Sequence, residues 1–363
     1  MFGTEILKIT DKGTLHIPMR IHLLLLLWLF VPAVYGQKYQ TAIVAFYNLE
    51  NLFDTLDDPL KNDDDFTPKG MYNYNTYIYQ DKLEKLSDVL SQIGSDINPD
   101  GFALAGLAEV ENRKVLEDLT AQPKLKDRHL KIIHIDGPDE RSVDCALLYN
   151  PKYFTVKHSK SLFVPLGTDH NKGHFTRDIL WVTGILGGTD TLHVFVNHWP
   201  SRRGGEEASA PARAAAASVA KRVIDSLMQL DPYTKIVLMG DLNDDPTSPS
   251  VAKVLGATGK INEVGPGQLY NPWWSYFEQG IGTLAYNDSW NLFDQIIVSY
   301  GLMPKKSNGF FFQEARIFKR QFMLTTTGKF RGYPKRTFSG NNYLGGYSDH
   351  LPTYCILLRE VTK

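Results

Sequence analysis

The chain has 363 residues, 43% of them hydrophobic and 12% aromatic, with a formal net charge of −1. Such a chain can bury a sizeable core, which excludes a largely disordered protein. The near-neutral balance gives no bulk attraction to a polyanion, so any nucleic-acid contact has to come from a local patch.

Near the start, Met19-Arg20 precedes the apolar run 21–31, and the small residues Val34 and Gly36 precede Gln37. A charged start, a short apolar stretch and a small-residue cleavage site predict a secretory signal peptide removed after Gly36. The run falls short of the ~20 residues that a membrane helix needs, so no integral span is expected in the mature chain. Residues 1–18 then form an upstream extension, and 37–363 a single domain exported to the periplasm or beyond. Taking the three basic and two acidic residues of 1–36 from totals of 39 and 40 leaves 36 and 38, a formal charge of −2.

Strands are predicted at 42–47, 102–109, 131–135, 143–149, 179–186, 191–196, 235–239, 295–299 and 353–358. Segment 81–93 carries Leu83, Leu86, Val89, Leu90 and Ile93 at helical spacing, and 208–230 has a similar Ala-rich face. Strands with hairpin-like neighbours and few helices predict an α/β fold of two packed mixed β-sheets with helices outside. No internal repeat or Pro/Gly/Ser linker divides the mature chain, and no heptad run calls for an oligomer, so a monomer is expected.

The chemistry lies at the strand ends. Gly240-Asp241-Leu242-Asn243 follows the apolar run 235–239, and a carboxylate and an amide two residues apart on an extended backbone share a face. The first strand ends at Asn48 within Phe46-Tyr47-Asn48-Leu49-Glu50-Asn51, and the second at Glu109 within Gly106-Leu107-Ala108-Glu109. His198 follows Val194-Phe195-Val196-Asn197. Asp294 opens the run 295–299, and Ser348-Asp349-His350 precedes the last strand. Glu111 rivals Glu109, because an offset of two places both on one strand face; Glu109 is preferred because it closes the apolar run.

In this order, the motifs resemble the endonuclease/exonuclease/phosphatase superfamily of DNase I-like phosphoesterases, and the resemblance runs from Asn48 to His350. It implies a four-layered α/β sandwich with one active site at the shared edge of the sheets. It also implies Glu109, Asp349 and Asn48 around a hard cation, Mg²⁺ with Mn²⁺ as substitute, with Asp241 close by. By the same resemblance Asp241 orients and deprotonates the attacking water, Asn243 holds a phosphate oxygen, and His350, paired with Asp294, donates a charged hydrogen bond. His198 is expected to do likewise from the other side. Whether Asp241 or His350 is the base, and whether one ion or two operate, stay open. The chain departs from the family's common pattern at Ala108, where Gln is usual before the Glu, and at Gln295, where His is frequent.

For substrate contact, Arg177 precedes a strand, and Ser201-Arg202-Arg203-Gly204-Gly205 follows His198. Arg177 has a surface ion pair as its alternative, and Arg141 and Asp144 are expected to pair within a turn, with positioning of the site's edge as the other reading. The stretch 305–336 holds nine Lys or Arg against one Glu among seven aromatics, a pattern that tracks a phosphate backbone or builds a half-buried hairpin. Tyr270-Asn271-Pro272-Trp273-Trp274-Ser275-Tyr276-Phe277 reads as an exposed aromatic loop that packs on a nucleobase, a sugar or a lipid head group, with stapling of the loop to the body as the alternative. Asp57, Asp58, Asp63, Asp64 and Asp65 read as a solvated loop, with a structural Ca²⁺ as the lesser reading. Cys145 and Cys355 are expected to be buried thiols rather than a disulfide. The first functional expectation is therefore an exported Mg-dependent phosphodiesterase, nuclease-like, acting by in-line attack of a metal-assisted water. The second is a phosphatase or phospholipase C-type enzyme on small phosphoesters, inositol phosphates or lipids, and the distant one a catalytically dead binding protein.

Overall fold

The computed structural model describes residues 39–166, 175–303 and 309–361. The predicted signal peptide and the extension expected before it lie outside the described residues, as do Lys305 and Lys306 of the basic stretch. Residues Tyr39–Glu360 form one compact unit.

In chain order the strands of that unit are β1 (Tyr39–Leu52), β2 (Leu104–Val110), β3 (Lys131–His134), β4 (Asp144–Tyr149), β5 (Phe154–Leu162), β6 (Ile179–Leu186), β7 (Asp190–His198), β8 (Lys235–Asp241), β9 (Ala257–Thr258), β10 (Leu269–Tyr270), β11 (Leu284–Tyr286), β12 (Ser289–Asn291), β13 (Asp294–Ser299), β14 (Phe311–Ile317), β15 (Phe338–Ser339), β16 (Asn342–Tyr343) and β17 (Thr353–Glu360). Sheet one has the order β14-β17-β1-β2-β4-β3 and sheet two β5-β6-β7-β8-β13-β10-β9, while β11–β12 and β15–β16 are separate hairpins. Each large sheet is mixed. The pair β1–β2 is parallel in the first, β7–β8 in the second, and antiparallel strands flank both pairs.

Alternation along the strands builds the layers. Ala42, Val44 and Phe46 of β1 enter a core shared with Val196, Met239 and Ile296 of sheet two. The intervening Ile43, Ala45 and Tyr47 face the other way and pack with helix α1 (Thr76–Gln92) and helix α2 (Arg113–Thr120). On the far side Phe195, Ile236 and Leu238 meet helix α3 (Glu206–Leu230) through Ala216, Ala217, Ala220 and Ile224. The expected four-layered α/β sandwich is what these faces make. Helix α1 begins five residues before the predicted start, because Asn75 caps it by accepting the Ile78 N–H. The sequence pattern misses α2, which is only 8 residues long, β5, a Lys-bearing edge strand buried mainly at its ends, β14 in the basic stretch, and the two- and three-residue strands β9–β12, β15 and β16.

Candidate functional site

Strand register in sheet two brings three of the predicted side chains into line. His198 at the end of β7 pairs with Asp241 at the end of parallel β8, and Asp241 pairs with Asp294 at the start of antiparallel β13. Gly240 permits this closeness, since a Cβ there would meet the Asn197 carbonyl oxygen at 2.3 Å. Asn197, fully buried, donates to the Met239 carbonyl (3.1 Å) and accepts from the Trp199 indole (3.0 Å), which fixes the chain on either side of His198. After β8, Asn243 takes a positive φ of 49°, sends its backbone N–H back to Asp241 Oδ1 (2.9 Å) and donates from its side chain to the Trp199 carbonyl (2.9 Å).

Sheet one reaches the same place by irregularity. The β1–β2 register shifts between Asn48 and Leu52, and the β2–β4 register between Ala108 and Val110. Glu50, Asn51 and Glu109 all have positive φ, at 49°, 57° and 60°. Such bulges re-aim side chains at a sheet's rim. They separate the rivals: Glu109 Oε2 accepts the Asn51 N–H (2.9 Å), while Glu111 Oε2 accepts the Asp54 N–H (2.6 Å) in a different hollow beside Asp57, Asp58 and Asp136. The preference for Glu109 follows the geometry, although the shared-face premise does not survive the bulge.

Asn48 joins the sheets. Its amide donates to Asp241 Oδ2 (3.0 Å), its oxygen accepts the Glu50 N–H (2.9 Å), and its carbonyl accepts the Ser348 hydroxyl (2.8 Å). Ser348 in turn accepts the His350 N–H (3.0 Å), which places His350 Nδ1 2.8 Å from Asp294 Oδ2 and Nε2 3.8 Å from Asp241 Oδ2. His198 Nε2 lies 3.6 Å from the same Asp241 oxygen and 3.9 Å from Glu109 Oε1. Among the described residues, Asp241, Asp294 and His350 form a buried group with ligand atoms within 4.8 Å of one another; His134, Asp136 and Asp144 form a second.

In front of this network lies a cavity of about 350 Å³ lined by Glu50, Glu109, Asp349, His350, Arg141 and Arg336, with Phe66, Tyr72 and Phe338 on its wall. Arg141 Nη2 meets Glu109 Oε1 (3.1 Å) and Asn51 Oδ1 (2.6 Å), and Arg336 Nη2 meets Asp349 Oδ2 (2.6 Å). A larger hollow of about 1040 Å³ between the start of α3 and residues 248–254 contains none of the predicted site residues.

Burial raises the Asp241 carboxyl to about 6, with Asp294 adding to the rise and His350, Asn243 and Asn48 opposing it. Burial and the Asp349 carboxylate raise Glu50 to about 8 against Lys82 and Arg336. For Asp349, burial is outweighed by His350 and Arg336, so its carboxyl falls below the usual range. His350 is likewise pulled by burial toward neutrality, but Asp294 and Asp241 win and raise it well above its ordinary value. His198 goes the opposite way: burial first, then Arg177, Arg141 and His350, hold it neutral. The expected second imidazolium is thus corrected, because no carboxylate faces its Nδ1, which is buried without a hydrogen-bond partner.

The three arginines picked for substrate contact are placed differently. Arg177 is buried, giving Nη1 to Asp139 (3.2 Å) and Nη2 to the Trp199 carbonyl (2.7 Å), so its ion pair is internal rather than superficial. Arg202 clamps the loop after β8 through the Asn243 carbonyl (3.0 Å), Asp244 (3.3 Å) and Asp245 (3.1 Å). Arg203 is exposed. Arg141 bonds Glu109 rather than Asp144, which instead meets His134 Nε2 at 3.2 Å. The aromatic loop is stapled to the body: Trp273 is fully buried and donates to the Ile296 carbonyl (3.0 Å), and Tyr276 donates to the Ala315 carbonyl (2.6 Å). Glu50 and Arg336 escaped the sequence reading. Glu50 sits inside the quoted Asn48 motif, where its spacing of two from Asn48 was the available signal; Arg336 was hidden in the basic stretch. Cys145 and Cys355 are buried free thiols, as expected.

The Endonuclease/Exonuclease/phosphatase family model matches residues 43–359, and the chain belongs to that family. It is accordingly an enzyme of the phosphoester-hydrolase class. No curated protein matches the chain at a significant level. Among solved structures, humanized D. rerio TDP2 carrying 14 mutations is 12% identical with a TM-score of 0.51, over 87% of this chain and 98% of its own. An endonuclease/exonuclease/phosphatase from Bacteroides vulgatus is 14% identical with a TM-score of 0.51, over 88% and 98%. D. rerio TDP2 complexed with a single-strand DNA product is 14% identical with a TM-score of 0.50, over 88% and 99%. At these identities the likeness is one of fold.

Proposed function

We propose that this chain is an exported, Mg²⁺-dependent phosphoesterase that cleaves its substrate by in-line attack of water, with Asp241 as the base. The observation that supports this reading is the convergence on one Asp241 oxygen of Asn48 Nδ2 (3.0 Å), His198 Nε2 (3.6 Å) and His350 Nε2 (3.8 Å). Hydrogen bonds orient this carboxylate, and burial tunes it to about 6, so at neutral pH it is ionised yet basic enough to take a proton from water. Asn243, with its side-chain nitrogen spent on the Trp199 carbonyl, offers its amide oxygen to align that water. His350, charged through Asp294, donates to the phosphoryl oxygen as negative charge develops, and neutral His198 donates from the other side.

The oxygen donors Glu109, Asp349 and Glu50 share one cavity, and a guanidinium nitrogen already stands within hydrogen-bond distance of two of them. That hard, anionic set fits a divalent cation, with Mn²⁺ as substitute, and Asn48 stands behind it. When bound, the ion polarises the phosphoryl oxygen and stabilises the leaving group.

Of the two substrate classes, a small phosphoester is favoured over a nucleic-acid strand. The nuclease expectation drew on the whole constellation and on the stretch 305–336, but the part of that stretch at 310–318 serves the scaffold: β14 pairs with β17, Phe310, Phe312 and Phe318 are buried, and Arg316 is paired with Glu314. The deciding assay compares hydrolysis of small phosphoesters with nicking of supercoiled plasmid, each with Mg²⁺, with EDTA and with Asp241→Ala. Mg²⁺- and Asp241-dependent turnover of the small esters supports this reading; plasmid nicking alone returns the chain to the nucleases.

A further inference from the structure

We propose that the substrate carries a terminal phosphate monoester whose non-bridging oxygens are gripped between the Arg141 and Arg336 guanidiniums. The proposal rests on the phosphoesterase reading and narrows it. Both arginines line the 350 Å³ cavity, with side chains 44% and 49% exposed. Each spends one nitrogen on a carboxylate: Arg141 Nη2 on Glu109 and Asn51, and Arg336 Nη2 on Asp349. Among the described residues, Arg141 Nε and Nη1 and Arg336 Nη1 keep their donors uncommitted, and Arg336 Nε has only Glu50 Oε1 at 4.0 Å. A planar guanidinium with spare N–H groups beside a phosphate site is a bidentate anion receptor.

The backbone around each arginine is pinned. The loop between β3 and β4 is tied by the Gly137 N–H to Asp144 (2.9 Å), by Asp139 to buried Arg177 (3.2 Å) and by the Arg141 N–H to Asp139 Oδ1 (3.0 Å). Lys335 and Thr337, on either side of Arg336, donate to the Met323 carbonyl (2.7 Å) and to Glu50 Oε2 (2.7 Å).

The number of acceptors then selects the ester. A monoester offers three non-bridging oxygens and about −1.5 to −2 charges at neutral pH, enough for the catalytic donors and two guanidiniums together. A diester offers two such oxygens and a single charge, so the same two guanidiniums and the catalytic donors crowd onto fewer acceptors and meet less negative charge.

The test uses the exported protein with Mg²⁺ on p-nitrophenyl phosphate and bis(p-nitrophenyl) phosphate, beside Arg141→Gln, Arg336→Gln and the matching Lys variants. Wild type is expected to prefer the monoester, and each Gln variant to lose roughly 100-fold in kcat/KM on it and less than about 5-fold on the diester, with partial rescue by Lys. Calorimetry gives an independent readout: inorganic phosphate binding is expected to weaken in the Gln variants while Mg²⁺ affinity holds or tightens. Equal losses on both esters, or weakened Mg²⁺ binding with phosphate binding intact, would overturn the proposal. Turnover of the diester alone overturns it too, but leaves the phosphoesterase reading standing. A folded wild type that hydrolyses neither ester sinks both.

Discussion

The two sheets deliver the candidate site's side chains by opposite means. Sheet two uses regular pairing, so His198, Asp241 and Asp294 stand on neighbouring strands in unbroken register. Sheet one uses broken pairing, with Glu50, Asn51 and Glu109 at positive φ beside two register shifts. The regular side holds the groups to which the proposed function assigns proton transfer, a step that needs fixed orientation. The irregular side gathers like charges, Glu50, Glu109 and Asp349, that ordinary strand alternation would have spread over two faces. On the proposed reading, protein hydrogen bonds alone hold the acid–base half, while a cation would complete the anionic half.

The largest effect belongs to the regular side. Asp241→Ala should remove the base and the meeting point of Asn48, His198 and His350, lowering kcat by roughly 10⁴-fold with Mg²⁺ affinity little changed. Steady-state kinetics beside calorimetry checks this, and a large loss of Mg²⁺ binding would make Asp241 a ligand instead. Next, Glu109→Gln should cost on the order of 10²–10³-fold at low Mg²⁺ and recover substantially at high Mg²⁺. A Mg²⁺ titration of activity reads it, and a deficit that saturating Mg²⁺ leaves untouched would assign Glu109 to proton transfer rather than to the cation.

The same contrast governs how much was legible in the sequence. The ends of β7 and β8 and the start of β13 could be read because an apolar run bordered by Asp or His announces a strand terminus, and pairing does the rest. The motifs of sheet one could be located but not oriented. Nothing in Ala108-Glu109-Val110-Glu111 shows the bulge that turns Glu109 and Glu111 toward different hollows. Arginines were the hardest, since Arg177 and Arg202, beside the motifs, serve the scaffold, whereas Arg141 and Arg336 reach the cavity from loops. Trp273 looked exposed because it lies in an aromatic-rich stretch opened by Asn271 and Pro272 rather than in a periodic apolar run, yet its indole fills the inter-sheet core.

A smaller effect should come from Asp294→Asn. Asp294 is the foremost cause raising His350 in the folded state, so the imidazolium adds stability that is fully present below the unfolded value, about 6.5, and is lost as pH rises through the folded value. Removing the carboxylate lowers the folded value. Both the His350 titration, followed by NMR of the ring, and the alkaline limb of kcat should therefore move to lower pH, with kcat falling about 10–100-fold. An unmoved His350 titration would show that Asp241 alone supports the charge.

The finest test sits on the irregular side. Glu50 is raised to about 8 by burial and by Asp349, above an unfolded carboxyl near 4.5. Because the folded state holds the proton more tightly, this group's contribution is fully present below about 4.5 and is lost as pH rises through about 8, with a slope of at most ~1.4 kcal/mol per pH unit. A divalent cation needs the ionised carboxylate, so binding below pH 8 should release a proton from Glu50, and apparent affinity should tighten with rising pH up to that value. Calorimetry in buffers of different ionisation enthalpy counts the proton. In Glu50→Gln the release should vanish and Tm without cation should flatten between pH 5 and 8, while Arg336 keeps its bond to Asp349. If proton release persists in that variant, the proton comes from Asp241, and the regular half, contrary to the contrast between the sheets, responds to the cation as well.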